Sequence, residues 1–167
     1  MTPMEQNYPQ RKQNRLSFYS YSNAGYYFLT VCARNKEKLF GTIVGGGALD
    51  APSVQLSRIG KILEQYIEST NRIPCVHVDK YVIMPNHFHM ILAIEYNETQ
   101  SLTSRANEKV PHVIGTIKRF CNRDFGENVF QRGYHDHVIR GENDYQKIWS
   151  YIDDNPRRWK EDCMYVD

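Results

Sequence analysis

Two histidines in the middle of the 167-residue chain have the spacing of a metal site. His87 and His89 are separated by one residue and stand in an apolar segment, residues 87–94, that is typical of a buried β-strand. Side chains two residues apart on a strand point to the same face, about 7 Å apart at the backbone, so both imidazoles can reach one divalent ion. A His-x-His pair alone is more often structural, because histidine is commonly half-buried.

A second pair, His135 and His137, has the same spacing and offers the same chemistry. The residues around the two pairs favour the first one. His87 and His89 follow a tight turn and share a strongly apolar strand, whereas the second pair is followed by the charged, turn-like residues 140–142.

A metal site for phosphoryl chemistry also needs a nucleophile and usually a third ligand. The last predicted helix begins near Asn143, a residue able to cap it, and stops at Asn155 because Pro156 disfavours helical geometry before it. Tyr151 and Asn155 are four residues apart and share a face away from the apolar stripe of this helix. Periodicity makes Tyr151 eligible as a nucleophile, but by itself it favours a packing role, as for most of the 12 tyrosines.

The elements that would position these residues alternate between strands and helices. Strands are predicted at residues 25–33, 76–84, 87–94 and 134–139, and helices at residues 56–67, 110–125 and 143–155. The order β-α-β-β-α-β-α, with a hairpin in the middle, predicts an α+β fold: a ferredoxin-like, RRM-like antiparallel sheet with helices on one face and the tyrosine on the late helix. Residues 1–15 are predicted to be a mobile basic arm, and residues 95–109 a flexible loop.

The composition is that of one globular domain. The chain is 41% hydrophobic and 24% charged, and its longest apolar run, residues 90–94, is far shorter than the roughly 20 residues that cross a bilayer. No N-terminal segment has the pattern of a signal peptide. We therefore expect a single domain, residues 1–167, located in the cytoplasm and without a membrane partner.

The sequence also argues against several cofactors. The four cysteines, Cys32, Cys75, Cys121 and Cys163, are widely spaced with no Cys-x-x-Cys pair, which predicts reduced thiols rather than a disulfide or a zinc site. No Gly-rich motif of the phosphate-binding kind is present, so we expect no nucleotide cofactor.

Three stretches of the chain closely resemble the REP-associated tyrosine transposases, a branch of the HUH superfamily of single-strand transposases. They are Tyr19-Ser20-Tyr21-Ser22 leading into Gly25-Tyr26-Tyr27-Phe28-Leu29-Thr30-Val31-Cys32; Asp79-Lys80-Tyr81-Val82-Ile83-Met84-Pro85-Asn86-His87-Phe88-His89; and Phe130-Gln131-Arg132 through Tyr134-His135-Asp136-His137-Val138-Ile139-Arg140 to Tyr151-Ile152-Asp153-Asp154-Asn155-Pro156. The middle stretch is highly specific, and the resemblance runs nearly end to end.

The resemblance implies a role for each site residue. The family's His-hydrophobic-His element, which supplies two metal ligands, falls on His87 and His89, and its single nucleophilic tyrosine falls on Tyr151. Relatives with glutamine four residues after the tyrosine use it as the third ligand. Here Asn155, one methylene shorter, holds that place, so it is the expected third ligand.

The implied reaction is cleavage and rejoining of single-stranded DNA at an imperfect palindrome that forms a hairpin. With Mg²⁺ or Mn²⁺ bound, Tyr151 attacks a phosphodiester, a 5′-phosphotyrosine forms and a 3′-hydroxyl leaves. Seven basic residues are candidate DNA contacts: Lys118, Arg119, Arg123, Arg132, Arg140, Arg157 and Arg158. Any one of them alone is more often a solvated charge, because contacts to the DNA backbone need a cluster of basic residues. The net charge of only +2 gives weak support for a nucleic-acid partner.

Other functions remain open at the level of sequence. A domesticated hairpin-binding protein would have lost efficient cleavage, and the shortened Asn155 is the hint for it. A metal nuclease that uses water would cut without a covalent intermediate. A scaffold protein would offer no reason for the His pair, the tyrosine and the basic residues to match a transposase pattern. A homodimer with Tyr151 and the His pair on different subunits has the same element order as a monomer.

Overall fold

The computed structural model describes residues 24–47, 50–95 and 109–166. The predicted basic arm, residues 1–15, lies outside the described residues, as do residues 19–22 of the first matching stretch and most of the predicted loop at 95–109. The elements in chain order are β1 (Gly25–Cys32), β2 (Gly41–Val44), β3 (Ser53–Leu56), α1 (Arg58–Ser69), β4 (Val76–Ile83), β5 (His87–Ile94), α2 (Lys109–Phe125), β6 (His135–Ile139) and α3 (Glu142–Asp154).

The main sheet has four antiparallel strands in the order β4-β5-β1-β6. β5 lies inside the sheet, and seven of its eight residues are buried, which explains its nearly continuous apolar sequence. The tight turn between β4 and β5 makes the predicted hairpin, in which Ile83 pairs with Phe88. The histidine pair therefore stands on a central, rigid strand.

The two faces of the sheet are covered by different helices. α1 and α2 pack on one face, where Tyr27, Leu29 and Met90 contribute to the main core. On the other face, Ile152 of α3 packs with Ile91 in a smaller core. The predicted antiparallel α+β fold is confirmed, but the expectation that the helices lie on one face is wrong for α3, which covers the face opposite to α1 and α2. Element order alone does not specify this placement.

A small second sheet of β2 and β3 was not predicted from the sequence. Its two strands have four residues each, and the glycines at 45–47 follow the first of them. Such short strands give too little alternation to be detected. Leu56, where a helix was predicted to begin, is the last residue of β3, and Ser57 caps α1 by accepting a hydrogen bond from the Gly60 N–H.

The predicted capping role of Asn143 is wrong. α3 begins at Glu142, directly after Gly141, whose φ of 84° favours glycine. Asp144 reaches back instead, and its Oδ2 accepts the N–H of Arg140 at 2.9 Å. A carboxylate at this end of a helix is also favoured by the helix dipole.

Among the described residues, no helix is long and apolar enough to cross a membrane. The four cysteines are free thiols, of which Cys32 and Cys121 are buried and Cys163 is exposed.

Candidate metal and nucleophile site

The two histidines of β5 meet on the face of the sheet that α3 covers. His87 is fully buried and His89 is 3% exposed, and their Nε2 atoms lie 3.0 Å apart. Burial lowers the pKa of His87 to about 4. Burial, followed by the neighbouring His87, holds the pKa of His89 well below its ordinary value. Both rings are therefore neutral at pH 7, the form in which imidazole binds a metal.

The Nδ1 atom of each ring faces a protein partner. His87 Nδ1 lies 2.9 Å from Asn86 Oδ1, and His89 Nδ1 lies 2.8 Å from Oγ1 of Thr30, which pairs with His89 across β1 and β5. Partners at Nδ1 orient the rings and leave both Nε2 atoms directed at one point, the arrangement that metal-binding histidines need.

Asp162 completes the cluster from the end of the chain. After α3 the chain reverses through a 3-10 turn, Trp159–Glu161, and Trp159 packs on the His87 ring at 6.0 Å between centroids. This brings Asp162 Oδ2 to 3.8 Å from His87 Nε2, and one ligand atom each from His87, His89 and Asp162 lie within 4.8 Å of one another. Asp162 was not predicted from the sequence, because its place depends on this reversal and not on any motif spacing.

Asn155, the expected third ligand, lies beside Asp162. It is 2% exposed, and its Nδ2 donates to Asp162 Oδ2 at 3.4 Å. Its Oδ1 is buried and has no hydrogen-bond partner within the part of the chain that the structure describes. A buried oxygen without a partner calls for an explanation, and a bound cation would be one. Two imidazole nitrogens with carboxylate and amide oxygens fit a divalent ion such as Mn²⁺.

Tyr151 places its hydroxyl at the same cluster. The hydroxyl lies 3.3 Å from His89 Nε2 and 3.3 Å from Asp162 Oδ2, and the ring packs edge-on against His89 and Phe28. Burial, and then the charge of Asp162, raise the pKa of Tyr151 above its ordinary value. A cation among these groups would act in the opposite direction and favour the phenolate.

An open cleft leads from solvent to this hydroxyl. Its volume is about 210 Å³, and Tyr151 itself is 38% exposed. The cleft is lined by Tyr151, Asn155, Arg158, Glu161, Asp162 and Cys163. Arg158 bonds Glu161 at 3.1 Å and is one of the seven basic residues singled out in the sequence.

The other six basic residues do not line this cleft. The Lys118 ammonium donates to the carbonyl oxygens of Gln131 and Gly133, so it holds the segment before β6. Arg119 and Arg123 are exposed on α2, and both guanidinium groups lie 4.8 Å from the centroid of a phenylalanine ring there, that of Phe120. Because α2 covers the other face of the sheet, these two arginines are remote from Tyr151. The remaining three, Arg132, Arg140 and Arg157, are exposed.

The rival histidine pair is built differently. His135 and His137 are exposed on β6, and His137 Nε2 lies 2.8 Å from the Oδ2 atom of Asp144. That carboxylate also accepts the Arg140 N–H, so His137 takes part in the hydrogen bonds that hold the start of α3. In the described ranges, the three-residue cluster of His, Cys, Asp or Glu ligands is the one at His87, His89 and Asp162.

The chain is similar to known proteins in both sequence and fold. No protein-family model matches it. An uncharacterised protein of Haemophilus influenzae is 33% identical over an alignment 175 positions long, which covers 94% of each chain. The solved structure of a REP-associated tyrosine transposase bound to a REP hairpin superposes with a TM-score of 0.59 at 22% identity, over 81% of this chain and 68% of that one. The chain therefore belongs to the family of the Haemophilus influenzae protein and has the fold of the REP-associated tyrosine transposases, in agreement with the resemblance of its sequence.

Proposed function

We propose that this chain is a metal-dependent endonuclease and strand transferase of single-stranded DNA, with transposase activity and Tyr151 as its nucleophile. The observation that carries the proposal is the position of the Tyr151 hydroxyl, 3.3 Å from both His89 Nε2 and Asp162 Oδ2. A packing tyrosine has no need to direct its hydroxyl at a ligand cluster, whereas a nucleophile activated by a cation does.

The residues of the site have distinct roles in the proposed reaction. His87, His89 and Asp162, with Asn155 beside them, would hold the divalent ion, Mg²⁺ or Mn²⁺. When bound, this ion would neutralise charge on the scissile phosphate and on the phenolate. The hydrogen bond to Asp162 Oδ2 orients the Tyr151 hydroxyl, and its proton passes to solvent water, to which the half-exposed Tyr151 has access. The tyrosine oxygen bonds to phosphorus while the bond to the 3′ oxygen breaks, and that oxygen takes up a proton from water to become a hydroxyl.

The product of this step is a 5′-phosphotyrosine. Because one phosphodiester is exchanged for another, the bond energy is conserved and a free 3′-hydroxyl can reverse the reaction on the same or another strand. The transfer therefore needs no nucleotide cofactor. One chain supplies all five groups of the site, His87, His89, Tyr151, Asn155 and Asp162, which supports assembly of the site within a single subunit.

Hairpin DNA is the proposed substrate. The transposase of similar fold was solved with a REP hairpin, and a cleft beside Tyr151 opens to solvent. Arg158 would contact the phosphate next to the cut. The five exposed arginines elsewhere would contact the rest of the hairpin through its backbone, which fixes position but not sequence, and Lys118 would act through the segment before β6 that it holds. Such an enzyme would work in the cytoplasm on DNA.

The test is incubation of the purified protein with end-labelled single-stranded hairpins, with and without Mn²⁺ or Mg²⁺, followed by denaturing electrophoresis. We expect a metal-dependent covalent protein–DNA band that Tyr151→Phe and His87→Ala abolish. Tyr145→Phe is the matched control, because Tyr145 stands on the same helix with its hydroxyl bonded to Asp79. It should keep the covalent band.

The other outcomes separate the rival functions. Cutting that survives Tyr151→Phe would indicate a nuclease that uses water. Hairpin binding without cutting under any metal, tested over a library of hairpins, would indicate a DNA-recognition module, and Tyr151 would then be a packing residue.

A further inference from the structure

Asn86, in the turn before β5, is fully buried and makes three hydrogen bonds with its side chain. Its Nδ2 donates to the carbonyl oxygens of Lys36 at 3.2 Å and Met164 at 2.8 Å. Its Oδ1 faces His87 Nδ1 at 2.9 Å. Because both amide hydrogens are needed by the two carbonyls, the orientation of this carboxamide is fixed.

The fixed amide sets the tautomer of His87. The Oδ1 atom can only accept, so Nδ1 of His87 must carry the hydrogen, and in the neutral ring Nε2 is then unprotonated. Thr30 places no such restriction on His89, because a hydroxyl can donate to Nδ1 or accept from it. Without an ion, His89 can therefore hold its hydrogen on Nε2 and donate it to His87 Nε2, 3.0 Å away.

The same amide also reaches the acidic ligand. Asn86 Nδ2 holds the carbonyl of Met164, and the N–H of Met164 donates to Asp162 Oδ1 at 2.6 Å. That bond turns the other carboxylate oxygen, Oδ2, toward His87 Nε2. One buried side chain thus orients two candidate ligands that come from distant parts of the chain.

We propose that Asn86 is a positioning residue for the metal site, fixing the Nδ1–H tautomer of His87 and docking the segment that carries Asp162. The proposal rests on the proposed function, which supplies the metal. Partners of this kind act through the ligand and typically change metal affinity about 10–100-fold when they are removed.

The first test needs neither metal nor DNA. In the metal-free wild-type protein with ¹⁵N-labelled histidine, NMR correlations of the ring nitrogens should show His87 protonated at Nδ1 and His89 at Nε2. A His87 ring protonated at Nε2 would overturn the proposal, whether or not the protein cleaves DNA.

The second test compares Asn86→Ala with Asn122→Ala. Asn122, on α2, is the matched control, because its carboxamide also both donates and accepts: its Nδ2 donates to Asn128 Oδ1 and its Oδ1 accepts from the Val129 N–H. Titration calorimetry with Mn²⁺ should show binding weakened at least tenfold by Asn86→Ala and unchanged by Asn122→Ala. Amide hydrogen exchange at Met164 should become faster in Asn86→Ala alone.

A second variant separates the two functions of the amide. Asn86→Asp keeps the acceptor for His87 and loses the donors to Lys36 and Met164, so it should keep the His87 tautomer but release Asp162 and weaken Mn²⁺ binding. Wild-type Mn²⁺ affinity together with the wild-type tautomer in Asn86→Ala would refute the proposal. If the wild-type protein binds no Mn²⁺, the metal in the proposed function is refuted, and the His87 tautomer still tests Asn86.

Discussion

The Nε2 atoms of His87 and His89 lie 3.0 Å apart, inside a site that excludes water from both rings. Two unprotonated nitrogens at this distance direct their lone pairs at each other, so either a hydrogen or a cation must lie between them. A carboxylate oxygen of Asp162 stands beside the same point, and Asn155, whose buried Oδ1 has no partner among the described residues, bonds that carboxylate through its Nδ2. These groups together favour a cation over a hydrogen.

Removing the charge of Asp162 should therefore weaken metal binding. Asp162→Asn keeps an oxygen that can accept the Met164 N–H but carries no charge toward the imidazoles. We expect Mn²⁺ affinity measured by calorimetry to fall at least tenfold, about 1.4 kcal/mol. Asp153→Asn, which removes an exposed carboxylate paired with Lys80, is the control and should leave the affinity unchanged. Equal affinities for Asp162→Asn and wild type would remove Asp162 from the ligand set.

Thr30 supports the other imidazole, and its loss should affect both stability and metal binding. Thr30→Val preserves the shape of the side chain but leaves the buried Nδ1 of His89 without its partner. Such a loss costs about 1–3 kcal/mol in the free energy of unfolding, measured by urea denaturation. Thr70→Val removes a buried threonine bond to the Tyr66 carbonyl on the far face of the sheet. Thr70→Val should destabilise the protein without changing its Mn²⁺ affinity, whereas Thr30→Val should lower both the stability and the affinity. Equal Mn²⁺ affinities for the two variants would contradict this role of Thr30.

The geometry of the histidine pair could be predicted from the sequence because it depends on local rules. Alternation along a strand puts residues two apart on one face, and the apolar run of residues 87–94 identifies a central strand. Tyr151 and Asn155 share a helical face for an equally local reason. The structure brings these residues to one cluster, although periodicity alone could not tell a nucleophile from a packing residue.

What the sequence did not predict depends on long-range packing. Asp162 enters the site only because the chain reverses after α3 and Trp159 packs on His87. Neither the chain reversal nor the packing of Trp159 on His87 leaves a periodic pattern in the sequence. The side of the sheet that α3 covers is likewise decided by the fit between Ile152 and Ile91, not by element order. The strands β2 and β3 are simply too short for alternation to show.

Close packing at Gly60 should make α1 intolerant of a larger residue there. A Cβ at this position would lie 2.0 Å from the carbonyl oxygen of Phe40, a backbone atom that cannot easily move. We expect Gly60→Ala to lower the free energy of unfolding by about 1–3 kcal/mol. Gly115→Ala on α2 meets nothing within 4 Å and should raise it by about 0.5–1 kcal/mol. A Gly60→Ala protein as stable as Gly115→Ala would contradict this, because it would show that α1 and the backbone at Phe40 separate readily.

The start of α3 should depend on pH through Asp144. The backbone N–H of Arg140, followed by the hydrogen bond from His137, holds the pKa of this carboxyl below its usual value. Its stabilising contribution is present above the unfolded pKa of about 3.9 and is lost as pH falls through the lower folded pKa. Asp144→Ala should therefore lower the Tm at pH 7 but lose this effect at about pH 2. A Tm difference that persists in strong acid would show that the charge of Asp144 is not its cause.

Arg158 should contribute to DNA binding through phosphate alone. Because it lines the cleft beside Tyr151, we expect Arg158→Gln, made in the Tyr151→Phe background to prevent cutting, to weaken hairpin binding. The slope of log K against log salt should become shallower by about 0.7, the value for one phosphate of a single strand. The weakening should be equal for hairpins of different sequence, since phosphate contacts carry no sequence information. Arg72→Gln, after the end of α1, is the control and should leave the slope unchanged. An equal effect of the two variants on the slope would show that Arg158 does not contact the DNA.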